Sequence, residues 1–270
     1  MTKRILSLLV LVLATAPALA VGGAALDPSQ TLYNARQLGM GGVAIGFSDD
    51  ANGVLSNPSG LTNLEFPQLT GSSRKLVLDE VRYTLFGWAI PTEWGTFGLA
   101  YTGLNTGGSL PTMLDPASQR IIIDASQESI SYDNNVLALS YARNFKLAQL
   151  PNALAVGGNL KFFNQTLSGS LYSKASTIGL DLAASYQPLT WLSVGANLQD
   201  LLEGNLAWNG GASDKLGGFY KLGCKMYILG ASHEAYSTNQ QKLYGGIDLD
   251  IPHSTMSGAG YHLGLEYYPL

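Results

Sequence analysis

Val136-Leu137-Ala138-Leu139-Ser140-Tyr141-Ala142-Arg143-Asn144-Phe145 is the stretch on which the fold turns. One parity holds Leu137, Leu139, Tyr141 and Phe145; the other holds Ala138, Ser140, Ala142 and Asn144. A period of two belongs to an extended strand whose side chains alternate between two faces. Arg143 breaks the apolar parity, and near a strand end its long stem lets the charge reach an interface.

The same period returns along the chain. Leu154, Val156, Leu160 and Phe162 oppose Asn159, Lys161 and Gln165. Ile178, Leu180, Leu182 and Tyr186 oppose Thr177, Asp181, Ser185 and Gln187, and Leu192, Val194, Ala196 and Leu198 oppose Ser193, Asn197 and Gln199. Further on, Lys221, Lys225, Asp248, Asp250 and Glu266 each lie on the parity opposite the large apolar residues. A soluble β-sandwich also alternates, but it turns its charges outward and its large residues into a core. Alternation alone leaves both architectures open.

Composition separates them. Charged residues make up 13% of the chain, where a soluble domain carries about 25%. Gly occurs 32 times and Tyr, at 14, outnumbers Phe at 8. After the leader no run of about 18 apolar residues appears, so spanning helices are not expected. Thr2-Lys3-Arg4, the apolar run from Ile5 to Ala16 and Ala18-Leu19-Ala20 predict a secretory signal peptide cut after Ala20. The apolar run is short for a membrane anchor, which needs about 20 residues. Val21, in place of a cysteine, excludes a lipidated start at that cut. Loss of Lys3 and Arg4 leaves 13 basic and 19 acidic residues, a net charge of -6. No basic tract survives, which argues against nucleic acid as a partner. Cys224 is the single cysteine, so no disulfide can form within the chain.

Few charges, many Gly and Tyr, an export signal and alternating segments of about 10 residues predict an all-β fold: an antiparallel transmembrane β-barrel in a cell's outer membrane, with membrane lipid as its partner. The expected organisation is a signal peptide over 1–20, a hatch or plug over 21–62 and a barrel over 63–270. Strands are expected at 66–75, 80–90, 94–104, 119–131, 134–146, 153–166, 174–187, 190–199, 216–228, 241–251 and 259–268. Single-chain bacterial barrels have an even strand count. These segments therefore imply a missed strand, at 204–210 or 230–237, or closing strands beyond Tyr267-Tyr268-Pro269-Leu270. Short Pro-bearing connections at Pro91, Pro151 and Pro188 contrast with longer ones at 106–119 and 200–214, as periplasmic turns contrast with external loops. Trp94, Trp191, Tyr141, Tyr186 and Tyr267 fall near strand ends, where aromatic girdles sit.

The hatch stretch runs from Ala35 to Leu61. Gly39, Gly41 and Gly42 predict a closely packing backbone around Met40. Val43, Ile45 and Phe47 have strand spacing. Ser48 reads as a helix N-cap with Asp49 and Asp50 in the first turn, and Asn57-Pro58-Ser59-Gly60 as the turn that ends that helix. Gly39-Met40-Gly41-Gly42-Val43-Ala44 also fits a dinucleotide fingerprint, with Glu65 about 20 residues on, but no buried strand precedes it. Asp49 to Gly53 lacks the spaced ligands of a calcium loop.

These residues (Ala35-Arg36, Leu38-Gly39-Met40-Gly41-Gly42, Asp49-Asp50-Ala51 and Asn57-Pro58-Ser59-Gly60-Leu61) resemble the N-terminal segment of the PorV/PorQ family, relatives of the FadL-type outer-membrane transporters. The family usually has Ala at the position of Ser59. The resemblance covers about a tenth of the chain and implies a barrel of about 14 strands. FadL-type members pass hydrophobic small molecules through a lumen and a lateral gap in the wall. PorV-type members act in type IX secretion, carrying exported proteins to a surface attachment machinery, which suits a scaffold with a sealed lumen. Hatch-motif residues are Gly39, Met40, Gly41, Gly42, Asp49, Asp50, Asn57, Pro58 and Gly60. Lys161, Asp181, Lys221, Lys225, Asp248, Asp250 and Glu266 are expected to line the lumen, as a polar network holding the hatch, as a solute-selecting lining, or as both.

An enzyme is not expected. His233, His253 and His262 share no metal-ligand spacing, and one thiol cannot complete a zinc site. No nucleophile elbow appears. A barrel-surface lipid hydrolase is the weaker alternative. His262 and Glu266 share a strand face but stand about 13 Å apart along it. No metal and no cofactor is expected.

Overall fold

The computed structural model describes residues 27–31, 34–76, 81–108, 110–116, 118–124, 126–169, 172–202, 204–230, 241–253 and 258–269. The expected signal peptide, residues 21–26 of the expected hatch, His233 and the segment 230–237, apart from Gly230, lie outside them. The chain is all-β. One antiparallel sheet of 12 strands dominates, and a two-stranded sheet stands apart.

The continuous path of the large sheet is β1 (Gln68–Leu76), β2 (Val81–Thr92), β3 (Gly95–Thr106), β6 (Ser131–Phe145), β7 (Leu154–Ser168), β8 (Ser173–Leu189), β9 (Leu192–Gln199), β12 (Phe219–Leu229), β13 (Lys242–Pro252) and β14 (Gly260–Tyr268). Every neighbouring pair is antiparallel. The path is thus ten strands long, and among the described residues no ladder joins β1 to β14. The 14 strands implied by resemblance are not reached in this sheet.

One expected strand is absent. Among the described residues of 119–131 only β5 (Ile121–Ile123), a single bridge at Ile130 and the first residue of β6 are extended, and β5 pairs with β4 (Thr112–Leu114) in the separate two-stranded sheet. The three isoleucines have strand propensity but no wall neighbour to pair with, so propensity made a loop hairpin. The alternative at 204–210 is met by β10 (Asn205–Trp208), which pairs with β11 (Ser213–Lys215) and the start of β8. Leu206 and Leu216 are fully buried against Val136, Phe163 and Ala175, so this hairpin folds over the enclosed face at the long-loop end.

The sheet has two unlike faces. Its exposed face carries Phe86, Trp88, Leu139, Phe162, Ile178, Leu222 and Leu265, between 38% and 69% exposed. Its enclosed face carries small, polar and charged side chains, with Lys161 and Asp181 at 0%. Large apolar residues therefore face out and ions face in, the reverse of a soluble sandwich. At the short-turn end, the Trp94 backbone carbonyl accepts from the Tyr141 hydroxyl at 2.6 Å, and Trp191 lies in the β8–β9 turn.

The hatch differs from the expectation in detail. Ala35–Gly39 is a short helix, N-capped by Asn34, whose side chain accepts from the Gln37 N–H. Val43, Ile45 and Phe47 are buried but form no strand; the Val43 and Phe47 N–H groups close turns onto the Met40 and Ala44 carbonyls and that of Ile45 goes to Asp248, so no ladder forms. Ser48 is no N-cap: the next helix is Gly53–Ser56, and the Ser48 hydroxyl donates to the Asn57 carbonyl at 2.8 Å. A six-residue 3-10 helix, Pro58–Asn63, follows with Asn57 as its N-cap.

Candidate functional site: the plug and the face that holds it

The enclosed face receives the plug along a belt of missing side chains. A Cβ on Gly98 of β3 would stand 2.6 Å from Val54; on Gly157 of β7, 2.6 Å from the Pro58 backbone; on Gly223 of β12, 2.6 Å from Ile45; on Gly246 of β13, 2.5 Å from Phe47; and on Gly264 of β14, 2.4 Å from the Met40 carbonyl. Any side chain there would hold the plug off the wall. The plug is shaped reciprocally. Gly41 and Gly42 have positive φ, and a Cβ would strike the Leu263 carbonyl or the His262 ring. Gly60 would meet the Ser48 backbone, so two plug segments cross there. Gly39 faces open space, so the close packing expected of all three leading glycines holds for Gly41 and Gly42 only.

Backbone groups that the short plug helix cannot satisfy are satisfied by the wall. A helix leaves its last four carbonyls without intrahelical donors. The Val54 carbonyl accepts from Asn159 at 2.7 Å, that of Leu55 from Gln199 at 3.3 Å and that of Ser56 from Asn197 at 2.6 Å. Asn57 is fully buried. Its amide donates to the Ile45 carbonyl and the Ser185 hydroxyl, and its carbonyl oxygen accepts from the Ser59 N–H and hydroxyl. Pro58, which has no N–H in need of an acceptor, opens the 3-10 helix.

The charged residues singled out from the sequence fall into three groups. In the first, Arg36 makes a bidentate pair with Glu266 at 2.7 and 2.8 Å and reaches Asp49 at 2.5 Å and Asp50 at 3.5 Å. Lys225 meets the other Asp49 oxygen at 2.8 Å and lies over the rings of Tyr244 and Phe47. Burial alone would push the Asp49 carboxyl up, but Lys225 and Arg36 outweigh it and hold it below the usual range. Burial likewise works against the Arg36 charge and is outweighed by Glu266 and Asp49.

In the second group, Asp248 accepts from the Ala44 and Ile45 N–H groups at 2.6 and 2.8 Å. Beside it, Asp250 pairs with Lys221 at 3.2 Å and approaches His262 at 3.5 Å, whose other ring nitrogen lies 3.1 Å from the Gly41 carbonyl. His262 and Glu266 thus have separate partners. The third group is fully buried: Lys161 stands 2.6 Å from Asp200, 3.0 Å from Asp181 and 3.4 Å from Asp27.

Sequence reasoning missed Asp27, Asp200, Asn159, Asn197 and Gln199 as plug ligands and gave Arg36 no task. The amides carried a signal, since each lies on the small, polar parity of its strand. Asp200 falls just past a strand, and Asp27 is remote in sequence from Lys161, the cation it approaches. Between plug and wall, the space lined by Gln37, Ala44, Leu55, Gln199 and Asp248 amounts to about 10 Å³, room for about one water. Among the described residues no three His, Cys, Asp or Glu side chains form a metal-binding group. Comparison with family models, with curated proteins and with solved structures finds no match in any of the three.

Proposed function

We propose that this chain is an outer-membrane β-barrel protein of the PorV/PorQ, FadL-like type, plugged by its own N-terminal segment and working as a non-enzymatic scaffold or conduit. One observation carries the reading: the exposed face of the sheet is apolar while lysines and aspartates are enclosed. Hydrocarbon solvent favours that inversion and water disfavours it. Trp94, Trp191 and Tyr141 at one end of the wall suit a headgroup layer. The reading requires the edges of β1 and β14 to be closed, because each unpaired backbone group costs several kcal/mol in hydrocarbon.

Of the two jobs that the resemblance implies, the sealed scaffold is favoured over passage of hydrophobic small molecules. The glycine belt brings plug backbone against the wall, and the space lined by Gln37, Ala44, Leu55, Gln199 and Asp248 holds about one water. A secretion component with secreted proteins as partners needs no open lumen. The test is membrane fractionation of the full-length protein with heat-modifiable gel mobility, followed by planar-bilayer recording. Outer-membrane recovery, a heat-dependent shift and conductance at background are expected. Recovery as a soluble periplasmic species rejects the barrel, and steady conductance with uptake of a hydrophobic solute lost on deletion replaces the scaffold by the transporter.

A further inference from the structure

The third charged group has more acid than it can neutralise. Three carboxyls, Asp27, Asp181 and Asp200, surround one ammonium, Lys161, and all four side chains are buried. Each has a different origin: the N-terminal segment, β8, the turn after β9 and β7. The other groups there are neutral. Gln30 donates to the second Asp200 oxygen and to the Gly217 carbonyl, Ser29 donates to Asp27, and Asn159 donates to Asp181. Further ionisable groups on the Asp27 side are Tyr83 of β2 and, above its ring, Arg74 of β1. The Asp27 and Asp200 carboxyls meet at the same ammonium, 3.4 and 2.6 Å from Lys161, and each is buried beside the other's charge. Two carboxylates cannot hydrogen-bond, because neither has a donor. A carboxyl and a carboxylate can, with one proton between them.

We propose that Asp27 and Asp200 form a proton-binding site that straps residues 27–31 to the wall, one shared proton halving the excess negative charge around Lys161. With the proton in place, the buried group carries one net negative charge. Without it there are two, and the repulsion falls on Asp27, the member that the wall does not hold covalently. The strap is therefore tight when protonated and loosened when the proton leaves. Burial and the neighbouring Asp27 push the Asp200 carboxyl up to about 8, so the proton stays at neutral pH. The inference rests on this geometry and not on the membrane reading.

The test uses the full-length protein, in detergent or in plain buffer as its purification requires. Infrared titration from about pH 5 to pH 10 should show the carbonyl band of a buried protonated carboxyl that persists at pH 7, bleaches as pH passes about 8, and is missing from the difference spectrum of Asp200→Asn. The folded carboxyl lies above its unfolded value, so its own contribution to stability is fully present below about pH 4 and is lost as pH rises through about 8. Between about pH 5 and 8, the thermal midpoint should therefore fall by about 5 °C more in the wild type than in Asp200→Asn. Wild-type spectra without a protonated carboxyl above pH 7 overturn the proposal, whether or not the variant folds. So does a band that Asp200→Asn leaves unchanged.

Discussion

The plug is held in two unlike ways on its two sides. Toward β2, β3 and β6, Ala51, Val54, Leu55 and Leu61 pack on Leu85, Ala89, Ala100, Leu104, Ala138 and Ala142, all nearly or fully buried. Toward β12, β13 and β14, Arg36, Asp49 and the Ala44–Ile45 backbone are held by Glu266, Lys225 and Asp248. The first grip is dispersion and water exclusion, non-directional and insensitive to salt. The second is charge and geometry; it fixes register and weakens as salt or protons screen it. A plug built this way is anchored on one side and adjustable on the other, so motion would begin at the ionic side.

The comparison breaks most readily at its apolar side. Leu61→Ala empties a fully buried site and should cost about 3 kcal/mol, read as the same drop in unfolding midpoint at low and high salt. A loss that shrinks in salt would mean that the two grips are not separable. Midway between them, Gly157→Ala drives a methyl into the Pro58 backbone. A cost of about 2 kcal/mol is expected, together with faster amide exchange in residues 53–63; unchanged exchange would show that the wall, not the plug, moved aside.

On the ionic side, Arg36→Gln should cost about 1 kcal/mol at low salt, since its partners are partly exposed. Most of that should vanish near about 1 M salt, where the screening length is about 3 Å. An undiminished loss would mean that Arg36 packs rather than pairs. The smallest expected effect is acidic. Asp49 is held below its usual range, so its contribution is present above about pH 4 and lost as pH falls below that. Amide exchange around residues 43–49 should therefore speed up in acid in the wild type, while Asp49→Asn is already fast at pH 7 and gains little. Equal acid responses in the two would assign the loosening to Glu266 or to another carboxyl.

Strand boundaries were legible where large outward residues alternate with small inward ones: β6 was expected at 134–146 and runs 131–145, and β13 at 241–251 runs 242–252. The expectation failed at Ile121–Ile123, where apolar residues lacked a wall neighbour. It failed again at Val43–Phe47, where the Ala44 and Ile45 N–H groups are taken by Asp248, about 200 positions away, and those of Val43 and Phe47 by local turns. Ser48 carried a cap's chemistry, but its hydroxyl was taken by Asn57.

By itself, then, the chain's order of residues determined the all-β class, the parity of nearly every charge and the presence of a turn at Asn57-Pro58, because those depend on spacing and on local dihedral preference. Only the tertiary structure decided which carboxylate meets which cation, why a glycine faces the plug on β3, β7, β12, β13 and β14, and that Asp27, Lys161, Asp181 and Asp200 share one buried place. Those are facts of proximity between residues far apart in sequence, and no short-range period encodes them.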